Sequence, residues 1–193
     1  MLTITHRHRQ VRALALGLWL ALPAPALLAG PAPAPATDFT TAPVELEEAG
    51  IYCGTDPVGT EPAPGTESGY ILVVARDQQA VSLNRRVPAA LGISFGVRIR
   101  LAPDAPPGAY RMVVHHPPIG PEGITREVWD PNLGGAFGVR SFLFEHEREL
   151  QPGPWSFEVE RDGTVLMRQS FEVVPAQQAP DALDICFGRA FTS

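Results

Sequence analysis

Proline and glycine are the residues that most limit how this chain can fold. The sequence contains 21 prolines and 18 glycines among 193 residues. Proline removes a backbone donor and disrupts helix interiors, and both residues favour turns. Their density disfavours helical bundles and coiled coils and predicts many short strands joined by turns. Hydrophobic residues make up 45% of the chain, which is enough to bury a core.

The first 36 residues have the three parts of an export signal. A basic segment, His6–Arg12, is followed by an apolar run of 17 residues, Ala13–Ala29, and then by a Pro/Ala stretch. The apolar run is short for a membrane span and contains prolines. We therefore expect residues 1–36 to be a signal peptide and the protein to be periplasmic or secreted. The mature chain is expected to have no transmembrane segment.

The charge of the mature chain argues against nucleic acid as a partner. All 15 basic residues are arginines, and three of them lie in residues 1–36. The remaining residues contain 12 arginines and 21 acidic residues, which gives a net charge of −9. A chain this acidic repels a phosphate backbone.

The expected export determines how the two cysteines, Cys53 and Cys186, are interpreted. In an oxidising compartment an even pair favours a disulfide, which would tie the C-terminal tail to the first strand. Two buried free thiols are the alternative. Redox or metal chemistry is the weakest interpretation, because the cysteines lack CxxC spacing.

Alternating apolar residues predict the strands. Ile93–Leu101 places every second residue on an apolar face, which indicates a half-buried antiparallel strand. Trp155, Phe157 and Val159 would share the inner face of another strand, and Asp162-Gly163 predicts a hairpin turn after it. Further strands are expected at residues 44–53, 70–75, 81–87, 110–116, 124–129, 141–150 and 164–174. One helical turn is the alternative for residues 141–150.

This pattern predicts an all-β fold, an antiparallel β-sandwich of about seven to nine short strands, with a small β-barrel as the alternative. We assign residues 37–43 to a Pro/Ala linker, 44–175 to the sandwich domain and 176–193 to a C-terminal tail. Residues 54–69 are turn formers and predict a long exposed loop.

Several stretches resemble a bacterial family known only as domain of unknown function 3859. They are Gly50–Cys53, Val87–Ala89, Gly92–Val97, His116–Pro118, Glu149–Phe157, Asp162-Gly163 and Ser170–Val173. The resemblance covers roughly residues 44–175 and implies an immunoglobulin-like sandwich. It implies no activity, cofactor or catalytic residue.

Histidines and glutamates provide the weak candidates for a metal site or a small hydrolase: His115, His116, His146, Glu145 and Glu147. Imidazole and carboxylate groups suit zinc or copper. Adjacent residues of a strand point to opposite sides, however, so only one of His115 and His116 could join His146. Ordinary surface or half-buried histidines are the favoured interpretation, and no cofactor is expected.

An acidic surface is the other candidate. Glu145, Glu147 and Glu149 would share one face of the strand expected at residues 141–150, and Glu158 and Glu160 one face of the next strand. These carboxylates would bind a basic partner or calcium, or pair with arginines across the strands. A solvated face is the favoured interpretation. Trp129 is either a core residue or part of a ligand surface.

The sequence thus favours a non-catalytic binding or accessory module of the cell envelope, with a protein or envelope component as its partner. A periplasmic metal-binding protein or small hydrolase is the alternative. The 54–69 loop, the 117–138 loop and an exposed sheet edge are the expected binding regions.

Overall fold

A computed structural model describes residues 37–75 and 77–188. The predicted signal peptide, residues 1–36, lies outside the described residues, as do the last five residues of the predicted tail. Within the described chain no helix is long and apolar enough to cross a membrane. The strands are β1 (Phe39–Thr40), β2 (Val44–Cys53), β3 (Gly59–Pro62), β4 (Tyr70–Val73), β5 (Arg86–Ala89), β6 (Ile93–Leu101), β7 (Tyr110–Ile119), β8 (Ile124–Trp129), β9 (Gly138–Leu143), β10 (Gly153–Arg161) and β11 (Thr164–Pro175).

Two sheets pack face to face. The larger sheet has the order β1-β11-β10-β7-β8, with β5 joined in parallel to β11, and the smaller sheet has the order β2-β6-β9. Strands β3 and β4 form a separate hairpin. The described strands form open sheets, so the predicted β-sandwich is confirmed rather than the barrel.

The clearest sequence signals are confirmed. The strand expected at Ile93–Leu101 is β6, and its inward residues Phe95, Val97 and Ile99 are fully buried. Both residues of the Asp162-Gly163 turn have positive φ, 49° and 77°, as a tight hairpin between β10 and β11 requires.

Phe95 lies at the centre of the core. From β6 of the smaller sheet, its ring packs edge-on against Trp155, Phe157 and Phe171 of the larger sheet, with centroids 5.3, 5.6 and 5.4 Å away. Such edge-to-face pairs contribute about 0.5–1.5 kcal/mol each beyond their buried area. The sheets are therefore joined by aromatic contacts around one residue.

A disulfide joins Cys53, at the end of β2, to Cys186, with Cα atoms 5.2 Å apart. The predicted pairing is confirmed. Cys186 lies in a short helix, α1 (Pro180–Phe187), whose Ala182 and Leu183 are buried against the core. The C-terminal segment is thus partly helical, because α1 has apolar residues to bury beside the disulfide.

Four segment predictions need correction. The expected linker already pairs with the sheet at β1, where the Asp38 carboxylate accepts the backbone N–H of Ser170. Residues 54–69 contain strand β3, and the strand expected at residues 70–75 ends at Val73. Residues 81–85 make only an isolated bridge at Ser82, and the strand there begins at Arg86.

The fourth correction concerns residues 141–150. Strand β9 ends at Leu143, and residues Glu147–Glu149 form a 3₁₀ turn. The backbone leaves the strand because the Glu149 carboxylate accepts the N–H groups of Glu145 and His146 at 2.7 and 2.9 Å. The predicted row of three glutamates on one strand face was therefore wrong.

Removal of the disulfide should destabilise the fold. Because the linked residues are 133 positions apart, the double variant Cys53→Ala/Cys186→Ala should lose about 3–5 kcal/mol of unfolding free energy in urea. The control is reductant, which should lower the stability of the wild type and leave the double variant unchanged. Equal stability of both oxidised proteins would show that the bridge contributes nothing.

Candidate functional site

A groove of about 150 Å³ lies between the β3–β4 hairpin and the side of the sandwich where β8 and β9 end the two sheets. We call it the edge groove. Its walls include five consecutive residues of β9, 139–143, and five consecutive residues at β4, 70–74. Because neighbouring side chains of a strand point to opposite faces, a cavity that contacts every residue in turn lies along the strand's edge.

The outer edge of β9 has backbone groups without a strand partner. β9 pairs with β6 on one side, and the described residues provide no strand on its other side. Just beyond β9, Phe144 donates its N–H to the carbonyl of Ile93, and this pair continues the register of β6 with β9. Because bonded pairs alternate in an antiparallel ladder, Phe142 and Arg140 bond to β6, and the backbone of Ser141 and Leu143 points into the groove.

The β4 wall is built in the same way. Ala63 donates its N–H to the carbonyl of Gly69, which makes 63 and 69 a hydrogen-bonded pair. The next hydrogen-bonded pair of the β3–β4 ladder is therefore Glu61 with Ile71. The alternation leaves the backbone of Leu72 directed away from β3. The edge groove is thus bounded on two sides by strand edges.

Contacts from β8 and from the 3₁₀ turn fix the hairpin to the sandwich. Val128 of β8 donates its N–H to the Gly65 carbonyl at 2.9 Å, and a Cβ at Gly65 would lie only 2.4 Å from the Val128 oxygen. Close approach therefore requires glycine at this position. Arg148 of the 3₁₀ turn donates twice to the Glu67 carboxylate, at 3.0 and 2.9 Å, which lowers the pKa of Glu67.

The lining of the edge groove is strongly acidic. One guanidinium, that of Arg140, and six carboxylates lie among its lining residues; the carboxylates belong to Glu61, Glu67, Glu127, Asp130, Glu145 and Glu149. Arg140 is already held by the backbone oxygens of Pro131 and Asn132. The groove therefore has a large excess of negative charge over positive charge.

Glu127 is a buried carboxylate without an arginine partner in the described chain. Its residue is 6% exposed, and the described chain gives it one hydrogen bond, from the Glu67 N–H to Oε1 at 3.0 Å. Burial raises the pKa of Glu127, and the carboxylates of Glu149 and Glu67 act in the same direction. The pKa of Glu145 is also raised, first by burial of its carboxyl group and then by Glu149.

The base of the edge groove is apolar. Trp129, at the end of β8, is 8% exposed, belongs to the hydrophobic core and also lines the groove. Ile119 and Phe142 lie beside it in the lining. The groove can therefore accommodate apolar side chains along its length and a cation near its carboxylates.

The histidines do not converge with the glutamates on a metal site. His115 is on the outer face of β7, where Nε2 lies 3.4 Å from the Glu158 carboxylate. His116 is buried on the inner face, where the centroid of its ring lies 4.8 Å from that of Trp155, and burial lowers the pKa of His116. The described residues contain no group of three or more His, Cys, Asp or Glu side chains that could hold a metal ion.

Two of the three glutamates of the expected acidic surface do line the edge groove. Glu145 and Glu149 are in the lining, whereas Glu147 is exposed on the 3₁₀ turn outside it. Glu158 and Glu160 are neutralised on the outer face of the larger sheet by Arg168 and Arg126, respectively. The second predicted glutamate row is thus paired with arginines.

Sequence reasoning did not identify Glu127 as a site residue. The available signal was its spacing from Trp129, because residues two apart on a strand share a face. Glu127 pairs with Val114 and Trp129 with Met112, and both partners are fully buried. A carboxyl group on the inner face of a strand is unusual enough to mark a candidate site.

Comparisons with known proteins concern the family and the fold. A family model described as "Domain of unknown function (DUF3859)" matches residues 41–173. The crystal structure of an immunoglobulin-like protein from Pseudomonas aeruginosa is 21% identical; the match covers 72% of this chain and 98% of that one, with a TM-score of 0.44. None of the curated proteins matches the chain.

The variant Glu127→Gln should be more stable than the wild type at pH 7. The amide oxygen can still accept the Glu67 N–H, but no buried charge remains. A raised pKa means that the folded state holds its proton more tightly, so this carboxyl reduces stability as the pH rises above about 4.5. We expect a gain of about 1 kcal/mol at pH 7, measured by urea unfolding, and a smaller gain at pH 4.

Glu122→Gln is the matched control, because Glu122 lies on the exposed turn between β7 and β8. Its stability should differ little from that of the wild type at both pH values. If Glu127→Gln were less stable than the wild type at pH 7, the carboxylate would stabilise the fold. The inference that this buried charge reduces stability would then be wrong.

Proposed function

The chain belongs to the family described as a domain of unknown function (DUF3859), and we propose that this member is an exported, non-catalytic binding module of the cell envelope. Its binding site is the edge groove. The observation that carries the proposal is a set of carboxylates beside an apolar base, with Glu127 buried and lacking an arginine partner. A buried charge reduces stability, and such costs are typical of functional sites.

Export is supported by two independent features. The N-terminal segment has the basic, apolar and small-residue parts of a signal peptide. The disulfide between Cys53 and Cys186 suits an oxidising compartment. The net charge of −9 for the mature chain agrees with a protein or envelope component, rather than nucleic acid, as the partner.

A non-catalytic role is supported by how the polar side chains are used. Glu149 holds the backbone of the 3₁₀ turn, Glu67 pairs with Arg148, and Glu158 pairs with Arg168 on the other face of the sheet. The alternative of a metal-binding protein lacks a group of three or more suitable ligands in the described residues.

Export can be measured by the redox state of the two cysteines in the producing cell. The full-length protein should appear in the periplasmic or extracellular fraction with both thiols blocked to alkylation. A variant lacking residues 1–36 should remain in the cytosol with both thiols free, because cytosolic reductants keep them reduced. Full-length protein in the cytosol with two free thiols would contradict export.

Binding through the edge groove can be measured by photo-crosslinking in living cells. A photoreactive residue at Leu72, in the groove lining, should give one discrete crosslinked envelope component. The control position is Leu83, which is 66% exposed and outside the groove. Equal products from both positions, or none from Leu72, would contradict the edge groove as the binding site.

A further inference from the structure

We propose that the edge groove binds an extended polypeptide segment that adds a strand to β9 and places a lysine or arginine side chain among the groove's carboxylates. This inference rests on the proposed function and specifies the chemistry of its partner. Strand addition derives affinity from main-chain hydrogen bonds and specificity from pockets for alternate side chains. The edge groove offers both.

The main-chain part of the argument comes from the unpaired edges. The outward N–H and C=O groups of Ser141 and Leu143 have no strand partner in the described chain, and Leu72, whose outward groups point away from β3, lines the same groove. An extended segment supplies donors and acceptors at the same spacing as a strand edge. A small ligand or a helix would leave these groups without partners.

The side-chain part of the argument comes from charge. A segment beside β9 directs alternate side chains towards the apolar base at Trp129 and Phe142. The groove continues past the end of β9 to Glu145 and Glu149, with Glu127 in its wall. A basic side chain would compensate these carboxylates, which outnumber the single groove arginine, Arg140, whose guanidinium already contacts loop carbonyls.

A bare metal ion does not fit these carboxylates, since the described residues contain no arrangement of three or more ligands for one. An ammonium or guanidinium group at the end of a flexible side chain satisfies carboxylates that are spread along a wall. The charge therefore favours a basic side chain, and the strand edges favour a polypeptide that carries it.

The probe is a phage-displayed library of random peptides of about nine residues, the length of a long strand. The library is selected on the oxidised protein purified from a periplasmic extract. We expect selected sequences in which apolar or β-branched residues recur at every second position, with lysine or arginine at one fixed position. Selection of helical patterns, of acidic peptides or of no consensus would overturn the proposal.

Strand addition is then tested with one synthetic selected peptide. N-methylation of alternate peptide residues should weaken binding about tenfold or more for one parity and leave the other parity nearly unchanged, because only one set of N–H groups faces β9. Equal effects for both parities would show that the peptide does not pair as a strand. This measurement leaves the protein unaltered.

On the protein side, Ser141→Pro removes an N–H that points into the groove and retains the β6–β9 ladder, since proline is tolerated at such edge positions. It should weaken peptide binding about tenfold or more. The matched control is Arg126→Pro, a proline at an outward position of the other edge strand, β8, which should bind the peptide normally. Equal binding by wild type and Ser141→Pro would overturn strand addition.

Charge recognition is tested by a double-mutant cycle. Replacing the fixed basic residue of the peptide with norleucine should weaken binding to the wild type about tenfold. The same replacement should have little effect on Glu127→Gln/Glu145→Gln. An equal loss with both proteins would show that these carboxylates do not recognise the basic side chain.

The outcomes separate this inference from the proposed function. If Leu72 crosslinks to an envelope component but peptide binding is insensitive to Ser141→Pro and to N-methylation, the edge groove binds without strand addition. If the purified protein instead forms a dimer that Ser141→Pro dissociates, the added strand belongs to a second copy of the chain. Either result overturns the inference, whereas the proposed site is overturned by the crosslinking outcomes, a missing Leu72 product or equal products from Leu72 and Leu83.

Discussion

The packing of Phe95 against aromatic residues of the opposite sheet is the interaction on which the rest of the structure depends. Its ring contacts Trp155, Phe157 and Phe171 across the sandwich and Phe142 and Phe144 along its own side. These contacts place β9 against the larger sheet and thereby position one wall of the edge groove. The core and the candidate site therefore share residues, since Phe142 contacts Phe95 and also lines the groove.

The unequal size of the two sheets explains why a groove exists. Six strands face three, and the smaller sheet ends at β9 while the larger one ends at β8. An open strand edge invites uncontrolled pairing with other chains, and proteins protect such edges with charges or with covering segments. Here the β3–β4 hairpin and the carboxylates around Glu127 do both. The same features would admit an extended segment of the right charge and exclude acidic ones.

The fold could be predicted where a local rule determines the structure. Alternating apolar residues predicted β6, and the Asp162-Gly163 pair predicted the β10–β11 hairpin. Each signal depends only on residues that are neighbours in sequence. The candidate site could not be predicted in this way. Glu127 and Glu149 are 22 positions apart, and they share a groove because a tertiary contact places Gly65 against Val128. At residues 141–150 the sequence favoured a strand over one helical turn, because the 3₁₀ turn at 147–149 depends on a side chain that bonds to the backbone.

Amide hydrogen exchange along β9, measured residue by residue by NMR on the free oxidised protein, tests the central claim most directly. The account predicts an alternation: slow exchange at Arg140 and Phe142, whose N–H groups bond to β6, and fast exchange at Ser141 and Leu143, whose N–H groups face the edge groove. Uniform protection across these four residues would mean that the outer edge of β9 is already paired. The groove would then have no open strand edge to offer a partner.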